Sequence, residues 1–198
     1  AVPYPVFVLA GLLVWNFVAG AINHVGNSLL GASYLISKAY FPRLVVPLSN
    51  IATDLVDFGV AALLLVPVML WYRVVPGLEI LLAPLLVVVA ALFALGVGLW
   101  IAALNIEYRD IRIVVPWVLQ IAMYVTPVVY PLSALPERYR AVAILNPMSG
   151  IAETFRAVLF GTPVPVAAIS WSVAASVLLL FTGAYYFRRV ERRFADIL

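Results

Sequence analysis

The sequence predicts an all-α, polytopic transmembrane bundle with five spans, and three observations carry that expectation. Hydrophobic residues make up 66% of the 198 and charged residues 11%, against roughly 25% charged in ordinary soluble domains. Five apolar stretches are each long enough to cross a hydrocarbon layer, which takes about 20 helical residues. The breaks between them carry interfacial and turn residues, among them Trp71-Tyr72-Arg73 and Pro76-Gly77. No internal repeat or low-complexity tract divides the chain, so residues 1–198 read as one membrane domain.

The first span covers residues 6–26. Its Asn16, Gly20, Asn23 and Asn27 share one helical face, which in lipid must turn toward protein or water. Residues 28–40 are too polar to span and stop at Phe41-Pro42-Arg43. They read as a short surface helix carrying Tyr34, Leu35, Ile36 and Lys38. The second span, 44–70, carries Asn50, Thr53, Asp54 and Asp57 at i, i+3, i+4 and i+7, a continuous polar stripe. Asp54 and Asp57 lie about 15 to 20 Å along the helix from Leu44, so they are expected to face the bundle interior or to be protonated.

The third span, 79–104, sets Ala90, Ala94, Gly98 and Ala102 four apart, a ridge for close helix approach. A charged hairpin over 105–112 leads into the fourth span, 113–130, with Trp117, Gln120, Tyr124 and Pro127 on one face. That face suits either packing between helices or a wetted passage for a sugar-like solute, which stacks on rings and hydrogen-bonds to amides. Two short helices follow over 136–145 and 147–160, with Asn146 as N-cap and Gly161 as C-terminal stop. The last span, 164–187, ends in Arg188, Arg189, Arg192 and Arg193, a basic face for anionic headgroups.

Loop charges orient the bundle. Lys38, Arg43, Arg109, Arg112, Arg188, Arg189, Arg192 and Arg193 fall on one side, Arg73, Arg138, Arg140 and Arg156 on the other. The richer side is expected to be cytoplasmic, which places the C-terminus inside and Ala1 outside. Ala1 to Pro5 lacks an initiator Met and a basic region and is not expected to be a signal peptide. The expectation is that a portion with at least one further span precedes it.

Several chemistries are set aside by composition. The chain has no cysteine and one histidine, so disulfides, thiolate chemistry and multi-His metal clusters are not expected. No Gly-Lys-Ser/Thr phosphate loop occurs, and Gly96-Val97-Gly98 lies inside a span. ATP-driven work would need a partner, for which the 28–40 helix is the natural docking element. Asp54 and Asp57 read as a proton or metal site or as a structural hydrogen-bonded pair, and His24 as a helix-interface residue or a base. The 107–112 turn reads as a solvated ion-paired loop or as a place where Arg109 or Arg112 meets a lipid diphosphate.

Trp15-Asn16-Phe17, Asn27-Ser28-Leu29-Leu30, Lys38-Ala39-Tyr40-Phe41-Pro42-Arg43, Val56-Asp57-Phe58, Asn105-Ile106-Glu107-Tyr108-Arg109-Asp110, Pro127-Val128-Val129-Tyr130-Pro131 and Leu145-Asn146-Pro147-Met148 occur in that order. Together they resemble the permease of type-2 ABC exporters for polysaccharides and polyol phosphates, the group that moves lipid-linked O-antigen, capsule and teichoic acid. The resemblance implies a homodimer of six-span subunits in the cytoplasmic (inner) membrane and a separate P-loop ATPase in two copies, which binds ATP and Mg. It implies a coupling helix near residues 28–41 (Tyr34, Leu35, Ile36, Lys38) and outer gate helices within 136–160. The translocation path would draw on Asn16, Asn23, Trp117, Gln120, Tyr124 and Tyr130, with Arg43, Arg109 and Arg112 at lipid phosphates. No cofactor, metal or nucleic acid is expected on this chain. The resemblance also implies an interface helix and a first span, which are expected to lie ahead of Ala1. The competing readings are a membrane enzyme on polyprenyl-linked intermediates using Asp54 and Asp57, a proton-coupled carrier using Asp54, and a drug or haem efflux permease of the same fold.

Overall fold

The computed structural model describes residues 2–31, 44–108 and 110–191. In chain order its helices are α1 (Tyr4–Gly31), α2 (Val45–Trp71), α3 (Ala83–Glu107), α4 (Ile111–Val125), α5 (Glu137–Leu145), α6 (Pro147–Phe160) and α7 (Val166–Glu191), with 3-10 turns at Leu78–Leu82 and Leu132–Ala134. No strand occurs among the described residues. α1, α2, α3 and α7 are long and apolar enough to cross a membrane, and the all-α polytopic bundle stands.

The bundle is built around α1, which touches α2, α3, α4 and α6. Val6, Ala10, Val14, Val18, Ala21 and Val25 are all buried, and their spacing of three or four makes one continuous stripe. α1 also runs on to Gly31 as a single 28-residue helix, so the expected surface helix does not begin at Ser28. The cause is local: Asn27 Nδ2 donates to the Asn23 carbonyl within the helix, Ser28 is buried, and no breaker intervenes. Tyr34, Leu35, Ile36, Lys38 and Arg43 lie outside the described residues, as do Arg109, Arg192 and Arg193.

The ridge on α3 is buried along its length: Ala90, Ala94, Gly98 and Ala102 all lie in the core. Where Gly98 lacks a side chain, the Val25 branch of α1 occupies the space, within 2.6 Å of an added Cβ. On its other side α3 meets α7 backbone to backbone. A Cβ on Gly96 would fall 2.7 Å from Leu180 N, and one on Gly183 would fall 2.6 Å from the Gly96 carbonyl oxygen. The clash is with backbone, which no rotamer change relieves. Gly96→Leu is therefore expected to force α3 and α7 apart, at a cost of about 1–3 kcal/mol or more. Thermal melting of the detergent-purified protein measures this against Gly59→Ala, where an added Cβ meets nothing within 4 Å. Equal melting for the two variants would mean the helices do not approach as described.

The segment expected as a fourth span over 113–130 is shorter than its apolar run. α4 has 15 residues, about 22 Å at 1.5 Å per residue, against a hydrocarbon core of about 30 Å. The helix ends at Thr126, which is extended at φ −81°, ψ 138°, the conformation that a following proline favours; Pro116, within the helix, does not interrupt it. The two short helices lie where the sequence puts them. Asn146 Oδ1 accepts from Met148 N and caps α6, Pro147 fills its first turn, and Gly161 ends it at φ 63°, a left-handed conformation that glycine adopts without strain.

Candidate functional site

Three surfaces carry the polar and aromatic residues that the sequence singles out. The first is a groove of about 260 Å³ between α1 and α2, whose walls include Asn16, Phe17, His24, Asp54, Asp57 and Phe58. His24 Nδ1 lies 2.7 Å from Asp54 Oδ1, and Asn50 Nδ2 donates to the His24 backbone carbonyl at 2.9 Å. His24 is thus an interface residue that ties two spans together. Asp54 is 5% exposed, which a carboxylate so deep in a span tolerates only with a partner.

The stripe on α2 is not buried as a unit. Asp54 faces inward and Asn50 is half-buried, but Thr53 and Asp57 are exposed within this chain. The reason is that α1 covers only one edge of α2, and the stripe straddles that edge. Thr53 Oγ1 turns back to the Ser49 carbonyl. Nor do the two aspartates pair with each other, because the partner of Asp54 is His24.

The second surface is the outer side of α4. Ile111, Val115, Leu119 and Ala122 are the buried and half-buried side against the bundle, while Trp117, Gln120 and Tyr124 lie opposite and exposed. Trp117 is 66% and Tyr124 63% exposed, so this face is turned away from the chain's own core. Tyr130 is held differently: its hydroxyl shares its one proton between the Tyr124 and Val125 carbonyls at 3.0 and 3.2 Å, closing the end of α4. Asn23 is half-buried, and its Oδ1 has no partner among the described residues. The groove that Asn16 lines takes no wall from α4, so within one chain these residues do not enclose a passage.

The third surface is the non-helical stretch 126–130, and here the reading of the sequence missed the central residue. Thr126, Pro127 and Val128 are buried, and backbone polar groups in such a place must find partners inside the protein. Arg156 supplies them. Its Nη2 donates to the Pro127 carbonyl at 2.6 Å and its Nη1 to the Val128 carbonyl at 3.2 Å. The Val129 carbonyl accepts from the Tyr4 hydroxyl, and Thr126 Oγ1 accepts from Asn146 Nδ2 at 2.8 Å. Glu153 Oε1 accepts from both Arg156 Nη2 and Leu132 N, each at 3.1 Å, and the guanidinium carbon sits 4.1 Å from the centre of the Phe7 ring. Burial lowers the Arg156 pKa from its ordinary value, and the Glu153 carboxylate works against that shift. In the sequence Arg156 counts only as a loop charge. The signal available was an arginine in the mostly apolar second half of the Pro147–Phe160 helix with a glutamate three residues before it.

The basic residues do not converge on one site among the described residues. Arg112 is exposed at the start of α4, and Arg43 and Arg109 are outside the description. No group of three or more His, Cys, Asp or Glu among the described residues is placed to hold a metal ion.

Comparison with known proteins follows the bundle as a whole. A family model described as "ABC-2 type transporter" matches residues 3–160. The chain is similar to the O-antigen export system permease protein RfbA of Klebsiella pneumoniae, 26% identical over 98% of this chain and 76% of that relative. A second Klebsiella pneumoniae protein of the same name is 25% identical over 98% of this chain and 76% of the relative. The permease of that name from Myxococcus xanthus is 29% identical over 98% and 75%.

Proposed function

This chain belongs to the ABC-2 type transporter family, and from that membership we propose that it is the membrane-spanning subunit of an ATP-driven exporter of a lipid-linked polysaccharide or polyol phosphate polymer. The observation that carries the reading is the match of residues 3–160 together with full-chain similarity to permeases named for O-antigen export. It is a transport subunit in a multi-pass membrane bundle, and hydrolysis of ATP with Mg belongs to a separate P-loop ATPase. Two permease copies and two ATPase copies make the working unit, with the C-terminus in the cytoplasm. Tyr34, Leu35, Ile36 and Lys38 transmit ATPase closure, and Arg43, Arg109 and Arg112 meet lipid phosphate.

The path is formed between two copies, which explains why one chain leaves Asn16, Asn23, Trp117, Gln120 and Tyr124 without an enclosing wall. Tyr130 contributes by fixing the end of α4 through its hydroxyl proton, shared between two backbone carbonyls. Deleting the gene tests the function: lipid-linked glycan is expected to accumulate inside while its synthesis continues and its surface display stops. A copurifying P-loop ATPase is the companion result. Unchanged display in the deletion, with no such ATPase bound, would overturn the proposal.

A further inference from the structure

α3 and α7 end on the same side of the bundle, where Glu107 Oε2 accepts from the Tyr186 hydroxyl at 3.5 Å. One turn beyond the close approach of Gly96 and Gly183, the Trp100 ring lies flat on Tyr186, with centroids 4.6 Å apart and planes 19° apart. Its Nε1 donates to Thr182 Oγ1 at 3.2 Å. Gly183 leaves room for this, since a Cβ there would fall 3.1 Å from Trp100 Cδ1. Trp100, Phe181, Thr182, Tyr185 and Tyr186 line an open cup of about 410 Å³ whose surface is almost wholly apolar. An aromatic residue that merely anchors a span turns its polar atom toward the headgroups. Trp100 does the reverse: its N–H is used inside the protein, and ring surface is what it gives the cup. Phe181 and Tyr185, each 71% exposed, complete the wall.

The rim beyond the rings is basic. Phe181, Tyr185 and Arg188 stand at i, i+4 and i+7, and Thr182, Tyr186 and Arg189 repeat that spacing, so each row runs along one face from the cup to a guanidinium. Both arginines are exposed in the last turn of α7, and neither has an ion-pair or hydrogen-bond partner among the described residues. Cα–Cβ bonds in a helix lean toward its N-terminus, so both stems start out over the cup. Two guanidinium groups outweigh the one Glu107 carboxylate on the α3 side. The larger groove of about 530 Å³, lined by Leu55, Leu63 and Val87 among others, has no Lys or Arg in its walls. That groove can hold a tail but has no means of choosing a headgroup, whereas the α3–α7 cup has both an apolar seat and a cationic rim.

We infer that this cup seats one anionic phospholipid of the surrounding bilayer, with an acyl chain against Trp100, Phe181 and Tyr185 and its phosphate held by Arg188 and Arg189 through paired, charge-assisted hydrogen bonds. The general attraction of a basic helix end for anionic headgroups thereby becomes one site with defined walls. The lipid is a resident and not cargo, because the cup takes no wall from α1 or α4, the helices along which the proposed path runs. The inference needs only the membrane bundle and stands apart from the export reading.

Native mass spectrometry of the purified transporter, released from micelles holding phosphatidylglycerol and phosphatidylethanolamine in equal amounts, counts the lipid retained. The expected result is severalfold more phosphatidylglycerol than phosphatidylethanolamine on the parent. Arg188→Gln with Arg189→Gln should remove that preference. Phe181→Ala with Tyr185→Ala should lower phosphatidylglycerol retention severalfold although both arginines remain, and Arg138→Gln, at an exposed position on α5, should change neither. Equal retention of the two lipids by the parent overturns the inference, as does a preference that survives loss of both arginines. Retention that survives loss of both rings also overturns it, leaving a general basic surface without a seat. Severalfold better competition by a polyprenyl diphosphate would make the cup a cargo site, and loss of a second protein copy from the ring variant would make it a protein joint; either result overturns the resident lipid. The export reading fails separately, by continued surface display after gene deletion.

Discussion

Replacing Arg156 by methionine is expected to destabilise the protein by about 3–5 kcal/mol, the cost of breaking a buried, hydrogen-bonded ion pair from one side. The volume is nearly kept, so the loss is one of hydrogen bonds. The carbonyls of Pro127 and Val128 lose their donors, at about 1–3 kcal/mol for each buried group left unsatisfied. Glu153 keeps only Leu132 N and becomes a half-buried charge with one partner. Lysine should recover part of the loss, since it restores charge but lacks the planar fork that reaches two carbonyls and a carboxylate at once. Melting of the purified protein measures the series, with Glu153→Gln as the milder companion because an amide oxygen still accepts from Leu132 N. The double substitution Arg156→Met with Glu153→Gln should cost less than the sum of the two singles, since the residues act as one unit. A methionine variant that melts like the parent would mean that the 126–130 stretch does not depend on this side chain.

The consequence reaches function because Arg156 joins three parts of the chain. Through Phe7 it touches α1, through Pro127 and Val128 the end of the α4 segment, and through Glu153 the start of the 3-10 turn that precedes α5. These are the elements from which an outer gate would be made. Surface display of the glycan is therefore expected to fall with the melting temperature in the methionine variant.

How much of this could be read without coordinates divides along a physical line. Features set by neighbours in sequence were legible. Asn146 before Pro147 is a helix start, Gly161 is a helix stop, and the four-residue spacing of Ala90, Ala94, Gly98 and Ala102 is a packing ridge. Features that depend on two distant segments were not. His24 and Asp54 stand on different helices, 30 residues apart, and no periodicity connects them, so Asp54 was paired in expectation with Asp57, its own neighbour. Arg156 and Pro127, 29 residues apart, pose the same difficulty. The length of α4 is hard to read for another reason: hydropathy continues through 126–130, and of the two prolines in the run Pro116 stays inside the helix while Pro127 follows an extended Thr126. The polar residues on α4 were legible as a face, but which way the face looks depends on what α1 and α3 already cover.

Removing both rings from that face, Trp117→Ala with Tyr124→Ala, is expected to cut surface display of the glycan by about tenfold while leaving the subunit folded. Two ring contacts at about 0.5–1.5 kcal/mol each sum to roughly one decade or somewhat more. Stability should hardly move, because Trp117 and Tyr124 are 66% and 63% exposed within the chain, and substitutions at such positions stay within about 0.5 kcal/mol. Val118→Ala, also exposed but off the face, is the control and should export normally. Three measurements separate the meanings of the result: display, melting, and the copy number of the permease in the purified complex. Display lost with copy number and melting intact places the rings against the moving glycan. Display lost together with the second copy would make the face a joint between subunits, since a tryptophan and a tyrosine on an open helix serve an interface as readily as a solute. Display unchanged would leave the rings facing acyl chains, and the route would then have to run along α1, past Asn16 and Asn23, without them.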